Sequence, residues 1–156
     1  MLYMELFGGA KNAFIFFNAY FKTVSDEFGV QKALDLNTKM SEELAAKQGK
    51  LMKEKAVTNQ FDAKAAFSQL TTIHESLGMG VDPDTQSNFS VIFQIERCPI
   101  YEAAKIIGID PEQFCRSGPL VFLNKVAKEL NPNLSYELMK YRKDKDDNCK
   151  HQILLK

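Results

Sequence analysis

The sequence predicts an α+β fold in which a helical N-terminal half packs on a small antiparallel β-sheet with a C-terminal hairpin. Through the first 78 residues, apolar side chains recur at intervals of three and four, the period of amphipathic helices. Later in the chain the period falls to two, which indicates strands. The 156 residues fit one domain, with a helical part at 1–78 and a mixed α/β part at 79–156 that carries all three cysteines.

The first predicted helix carries a wide apolar stripe. Ala13, Phe16 and Tyr20 extend it beyond a narrow seam, so the helix should be covered on more than one side. The cover is either the protein core or a second subunit, because so much exposed aromatic surface would make a monomer prone to association. We therefore expect a homodimer that uses this helix. The stripe consists of Phe7, Ala10, Phe14, Phe17, Phe21, Val24 and Phe28.

Two further helices should complete the helical part. Gly29 separates the first helix from a second at residues 30–55, within which Gly49 indicates a close crossing by another element. Asp62 is a good N-cap for a third helix that ends by Gly78. His74 lies in its last turn, where an imidazolium would suit the negative end of the helix dipole.

The mixed part should begin with a loop at residues 78–86, which is rich in glycine, proline and aspartate. A strand follows, with Phe89, Val91, Phe93 and Ile95 on one side.

Proline and glycine then delimit three short helices, at 99–107, 111–118 and 119–130. Strands at 134–141 and 149–155 form the terminal hairpin. The charged segment RKDKDDN joins them and is predicted to be a solvated loop.

Charge and motifs exclude several classes of function. The chain has 20 basic and 20 acidic residues, so nothing attracts it to a nucleic acid backbone or an anionic membrane. Glu5, Lys11 and Lys22 interrupt the apolar N-terminus before a membrane span accumulates, which makes the cytoplasm the expected location. The sequence lacks the Walker loop, the Rossmann glycine series, H-E-x-x-H and G-x-S-x-G.

The three cysteines are Cys98, Cys115 and Cys149, with sixteen and thirty-three residues between them. No C-x-x-C pair occurs, which disfavours zinc ribbons and ferredoxin-type clusters. The thiols are therefore small buried hydrophobes, a metal or reactive-thiol site formed by the fold, or a disulfide with one thiol left over.

Two pairings suggest a shared site. Cys98 and Glu102 lie one helical turn apart, and Cys149 and His151 share a strand face. Cys98 also precedes a helix, whose N-terminus favours a thiolate. We expect the three sulfurs to converge as ligands of a metal such as zinc, with His151 or Glu102 as the fourth group, and Cys115 arriving from a separate element.

A family resemblance rests on ordered motifs from about residue 28 to the C-terminus. R-C-P-I with Glu102 close behind, then F-C, N-P-N and D-D-N-C before alternating apolar residues resemble the L-2-amino-thiazoline-4-carboxylic acid hydrolase family. The chain is also similar, more distantly, to vinyl-reductase-type small-molecule-binding domains. The first resemblance implies thiazoline ring opening. The second implies an apolar ligand pocket, often with a cysteine-rich zinc site and a dimer, although Tyr141 stands where a further cysteine is expected.

The sequence thus leaves two functions open. One is a dimeric small-molecule-binding or sensing domain whose cysteines hold a metal or act as redox-sensitive thiols. The other is a hydrolase in which Cys98 is the nucleophile or a metal ligand and Glu102 is the acid-base group.

Overall fold

The structure is a computed structural model that describes residues 2–156 and confirms the predicted α+β fold. Three helices come first, and three shorter helices lie between the second and third strands of a four-stranded antiparallel sheet. In chain order the elements are α1 (Leu2–Phe28), α2 (Val30–Lys55), α3 (Ala63–Ser76), β1 (Val81–Gln86), β2 (Ser90–Ile95), α4 (Pro99–Ile107), α5 (Pro111–Ser117), α6 (Pro119–Leu130), β3 (Leu134–Lys140) and β4 (Cys149–Leu155).

The two long helices meet at a single residue, Gly29, whose positive φ of 89° is a conformation that residues with a Cβ rarely adopt. α1 packs mainly on α4, and α2 packs mainly on α6. The predicted close crossing at Gly49 is present, because a Cβ there would lie 2.5 Å from the Cβ of Glu129 on α6. The helices of the first half therefore pack directly on those of the second.

The sheet has the order β1-β2-β4-β3. The terminal hairpin prediction is confirmed, since β3 and β4 pair with Tyr136 opposite Ile153. On β2, Val91, Phe93 and Ile95 are buried as expected. Phe89 precedes the strand and is 69% exposed, so its predicted place on the buried side is wrong. The core face of β2 begins two residues later than the pattern indicated.

The predicted loop at residues 78–86 is also wrong in part, because most of it forms β1. β1 pairs with β2 at the sheet edge and is almost entirely exposed. A proline is tolerated on an edge strand because no neighbour needs its missing N–H, and the register shifts next to Pro83. Without a buried side, the strand carries no apolar alternation, and its composition is that of a turn.

The buried apolar side chains form two clusters. The larger one joins α2, α3 and α6 to the sheet, and the smaller one holds Phe21, Ala33, Ile100 and Phe114 between α1, α2, α4 and α5. Cys98 packs against both clusters. Within residues 2–156, no helix combines the length and apolar character needed to cross a membrane.

Candidate ligand cavity

A cavity of about 460 Å³ lies where the helices meet the ends of the strands. Its surface is almost wholly apolar. We divide its lining into a helical wall and a strand-end wall. The helical wall comprises Phe14, Phe17, Met40, Leu44, Leu120 and Leu123 from α1, α2 and α6. The strand-end wall comprises Ile95, Cys98, Arg142, Cys149 and His151, which lie at or near the adjoining ends of β2 and β4.

The local sequence explains how the helical wall forms. Phe14 and Phe17 are three residues apart on α1, so they share one face, and Phe17 meets the ring of buried Phe114 edge to face at 5.5 Å. Pro119 starts α6 and directs Leu120 and Leu123, again three residues apart, into the same space. The aromatic stripe predicted for the first helix therefore lines the cavity in part.

All three cysteines line the cavity, so thiols separated by sixteen and thirty-three residues in the chain border one space. All three are free, so no disulfide is present. Within residues 2–156, no group of three or more histidine, cysteine, aspartate or glutamate side chains is arranged to hold a metal ion. The assignment of Cys98, Cys115, Cys149 and His151 as zinc ligands stays a prediction that this geometry does not support.

The expected thiolate at Cys98 is wrong in direction. Cys98 is the N-cap of α4, and its sulfur accepts a hydrogen bond from the Tyr101 N–H at 3.5 Å. Burial nevertheless raises the pKa of the Cys98 thiol to about 11, since desolvation outweighs the hydrogen bond and the nearby Arg142 charge. Burial also raises the pKa of Cys115 well above its ordinary value. Both thiols are protonated at neutral pH.

Glu102 lies outside the cavity lining. Its two carboxylate oxygens face Lys11 at 3.4 Å and Arg97 at 3.5 Å. The carboxylate is engaged in a surface ion-pair network that joins α4 to α1, and it does not share a site with the thiols. Its predicted acid-base role is untested, and this placement does not favour it.

The two histidines are buried and neutral. His74 Nδ1 donates to the Leu70 carbonyl at 3.0 Å, which leaves Nε2 to accept from the Tyr136 hydroxyl at 3.2 Å. Burial lowers the pKa of His74 to about 4, so the imidazolium expected at the end of α3 does not form at neutral pH. Burial lowers the pKa of His151 to about 3, and its Nδ1 has no hydrogen-bond partner among residues 2–156.

Arg142 is the site residue that the sequence missed. The charged segment after β3 was predicted to be solvated, but Arg142, its first residue, is only 3% exposed. Its terminal nitrogens donate to the carbonyls of Ile95 at 2.7 Å and Glu96 at 2.9 Å, and its Nε donates to Cys149 Sγ at 3.4 Å. The carbonyls at the end of β2 thus draw this side chain inward.

A second, polar cleft of about 730 Å³ lies beside the cavity. The two spaces share Tyr101, Tyr141 and Arg142, so these side chains separate the apolar interior from the cleft. Lys105 and Lys143 line only the cleft. Tyr141, which stands where the resemblance expects a cysteine, is part of this boundary.

A family model described as L-2-amino-thiazoline-4-carboxylic acid hydrolase matches residues 10–152, which begins earlier than the motifs alone indicated. No curated protein matches the sequence.

Two solved structures are similar in fold. The phenol-responsive sensory domain of the transcription activator PoxR, solved with phenol, is 14% identical with a TM-score of 0.64, over 91% of this chain and 74% of that one. A trafficking protein particle complex subunit 3 from Naegleria fowleri, covalently bound to palmitic acid, is 12% identical with a TM-score of 0.58, over 95% of both chains.

Proposed function

Because the chain belongs to the L-2-amino-thiazoline-4-carboxylic acid hydrolase family and encloses an apolar cavity at the centre of its fold, we propose that it is a small-molecule-binding or sensing domain. The cavity is the observation that carries the proposal. Ligand pockets typically occupy about 300–1,000 Å³ and are mostly apolar with a few polar groups, and this cavity meets both criteria. The ligand should therefore be largely apolar.

The solved structures of similar fold support an apolar occupant. One was solved with phenol and the other carries palmitic acid, and both molecules present mainly hydrocarbon surface. At these low identities the likeness concerns the fold alone, so neither molecule is assigned to this chain. Both are suitable first probes.

A cavity-filling variant tests the proposal. Leu120→Trp places a larger side chain in the helical wall, while Ile106→Trp makes a similar enlargement on the exposed side of α4, away from the cavity. An environment-sensitive fluorescent apolar probe should bind the wild type and Ile106→Trp, and should lose binding to Leu120→Trp while its circular dichroism is unchanged. Equal binding by both variants would show that the probe does not occupy the cavity.

The family match favours a hydrolase as the second candidate function. Water would add to the C=N carbon of the thiazoline, and the C–S bond of the ring would break. Among the three sulfurs of the described residues, only Cys149 Sγ accepts a hydrogen bond from a guanidinium. Cys149 is therefore better placed than Cys98 to take part in this reaction. Incubation with L-2-amino-thiazoline-4-carboxylate and mass spectrometry of the product decide this. Turnover that survives in Cys149→Ala would remove that thiol from the reaction.

We also propose that α1 mediates a homodimer, because it exposes a second apolar face away from the core. This face runs from Leu2 to Tyr20, and the spacing of its residues alternates between four and three, as one helix face requires. In an antiparallel pair centred near Lys11, Leu2 faces the partner's Tyr20, Leu6 faces its Phe16, and Gly9 faces its Ala13. Large residues then meet large ones at both ends and small ones meet in the middle, which makes the face self-complementary, as a two-fold interface requires. Its residues are Leu2, Leu6, Gly9, Ala13, Phe16 and Tyr20.

Light scattering after size-exclusion chromatography tests the dimer. The wild type should be a dimer at micromolar concentration, and Phe16→Ser with Tyr20→Ser should give a folded monomer. Phe28→Ser is the matched control, since Phe28 is equally exposed but lies off this face. A monomeric wild type would overturn the proposal. Phe14 and Phe17 are unsuitable for this purpose because they line the cavity.

A further inference from the structure

Arg142 is a buried cation without a carboxylate partner among the described residues. Its guanidinium stays protonated in proteins, and a buried charge is stable only when it is paired or fully hydrogen-bonded. Among residues 2–156 it forms no ion pair with an aspartate or glutamate. Its hydrogen-bond partners are two backbone carbonyls and the Cys149 sulfur, and its guanidinium carbon lies 5.6 Å from the centre of the Tyr101 ring. The positive charge is therefore hydrogen-bonded by the chain but has no carboxylate partner among the described residues.

The charge acts on the cavity. Among the described residues that line it, Arg142 is the only arginine, lysine, aspartate or glutamate, and both histidines are held neutral. A cationic ligand would be repelled, and a neutral one would leave the guanidinium uncompensated in an apolar space. An anionic ligand is the one class whose charge complements that of the lining.

The guanidinium has hydrogen-bond donors to spare. Of its five N–H bonds, three are directed at Ile95 O, Glu96 O and Cys149 Sγ. One N–H remains on each terminal nitrogen. Arginine binds carboxylates through two such N–H groups, and these charge-assisted bonds are among the strongest that proteins make. Arg142 also borders the polar cleft, where solvent can reach a bound anion.

We propose that the ligand is an amphipathic monocarboxylic acid whose carboxylate binds Arg142 while its hydrocarbon body lies against the helical wall. This inference rests on the proposed binding function and specifies its ligand class. The acid gives its proton to water and binds as the carboxylate. Binding itself therefore involves no covalent step. Arg142 is then the residue that determines specificity for acids over neutral molecules of the same shape.

Three probes of equal chain length test the proposal by isothermal titration calorimetry: decanoate, 1-decanol and decylamine. The wild type should bind decanoate at least about ten times more tightly than 1-decanol, which is the effect expected of charged hydrogen bonds. Decylamine should bind most weakly of the three. Arg142→Gln keeps a polar side chain with an amide N–H donor but removes the charge, and it should bring the ratio of decanoate to decanol affinity close to one. Lys143→Gln removes an exposed cation next in sequence and should keep the ratio.

The outcomes separate this inference from the binding function. If 1-decanol binds the wild type as tightly as decanoate, the cavity is a general apolar site and the role of Arg142 falls, while the proposed function stands. If none of the three probes binds, both fall. Retention of the acid preference in Arg142→Gln overturns the assignment of the residue. Should that variant not fold, the wild type and Lys143→Gln decide, since loss of the preference in Lys143→Gln would place the anion in the cleft.

Discussion

The helical wall and the strand-end wall enclose the same cavity but are made in different ways. Side chains of the helical wall repeat at helical spacing, come from the helices α1, α2 and α6, and are all apolar. The strand-end wall collects a cationic group, two thiols and an imidazole from positions just inside or just beyond three strands, β2, β3 and β4. The helical wall thus determines the shape and the apolar character of the site, whereas the strand-end wall supplies its chemical selectivity.

The largest expected effect tests whether the helical wall is rigidly supported. Phe114 is fully buried and packs edge to face on Phe17 and Phe21. Phe114→Ala should lower the free energy of unfolding by about 3–5 kcal/mol in urea denaturation, because the helices cannot close over the space left. Phe89→Ala removes the same atoms from an exposed position and should change it by less than about 0.5 kcal/mol. A small loss for Phe114→Ala would mean that this wall repacks freely.

A pH titration tests the two buried histidines of the cavity lining, of which His151 belongs to the strand-end wall. Folding holds His74 and His151 neutral, with pKa values lowered to about 4 and about 3, whereas in the unfolded chain they take up protons near pH 6.5. Below that pH the unfolded chain binds more protons, so stability is fully present above pH 6.5 and falls as the pH drops. Each histidine should contribute about 1.4 kcal/mol per pH unit until its folded pKa is reached.

Urea denaturation between pH 7 and pH 4.5 measures this slope, and His74→Gln or His151→Gln should each remove about half of it. Lys140 and two backbone N–H groups lower the pKa of Asp147. Asp147 therefore changes the stability only below its ordinary pKa of 3.8, which lies outside this pH range. A slope that neither variant changes would place the buried proton sites elsewhere.

The smallest effect concerns the spacing of α2 and α6 behind the helical wall. Gly49→Ala places a Cβ 2.5 Å from Glu129 Cβ and 3.5 Å from the Val126 backbone, so the helices must separate. We expect a net loss of about 1–2 kcal/mol, since overpacking costs more than the helix propensity gained. Gly8→Ala meets no atom within 4 Å and should gain about 0.5–1 kcal/mol. A gain at both glycines would show that the crossing is loose.

The two walls also differ in how far the sequence predicts them. The apolar period and the glycine and proline boundaries predict the helices, and therefore Phe17 and Leu120, because helical spacing directly determines which side chains share a face. Arg142 was not predictable, since its segment is charged throughout and its burial depends on two carbonyls at the end of β2, which lie 46 and 47 residues away in the chain. The prediction of a thiolate at Cys98 was wrong for a related reason. Sequence spacing reveals a helix N-terminus, but the desolvation of a thiol depends on the whole surrounding fold.

The exposed edge strand affects how the protein resists aggregation at high concentration. β1 ends the sheet, and the free edges of sheets are templates on which further chains add as strands and begin to aggregate. Its sequence VDPDTQ places Pro83, which lacks a backbone donor, between the negative charges of Asp82 and Asp84, and the register shifts beside it. A strand from another molecule would meet a missing hydrogen bond, the exposed Asp82 and an irregular register. The same residues that give β1 the composition of a turn therefore protect this edge against polymerisation.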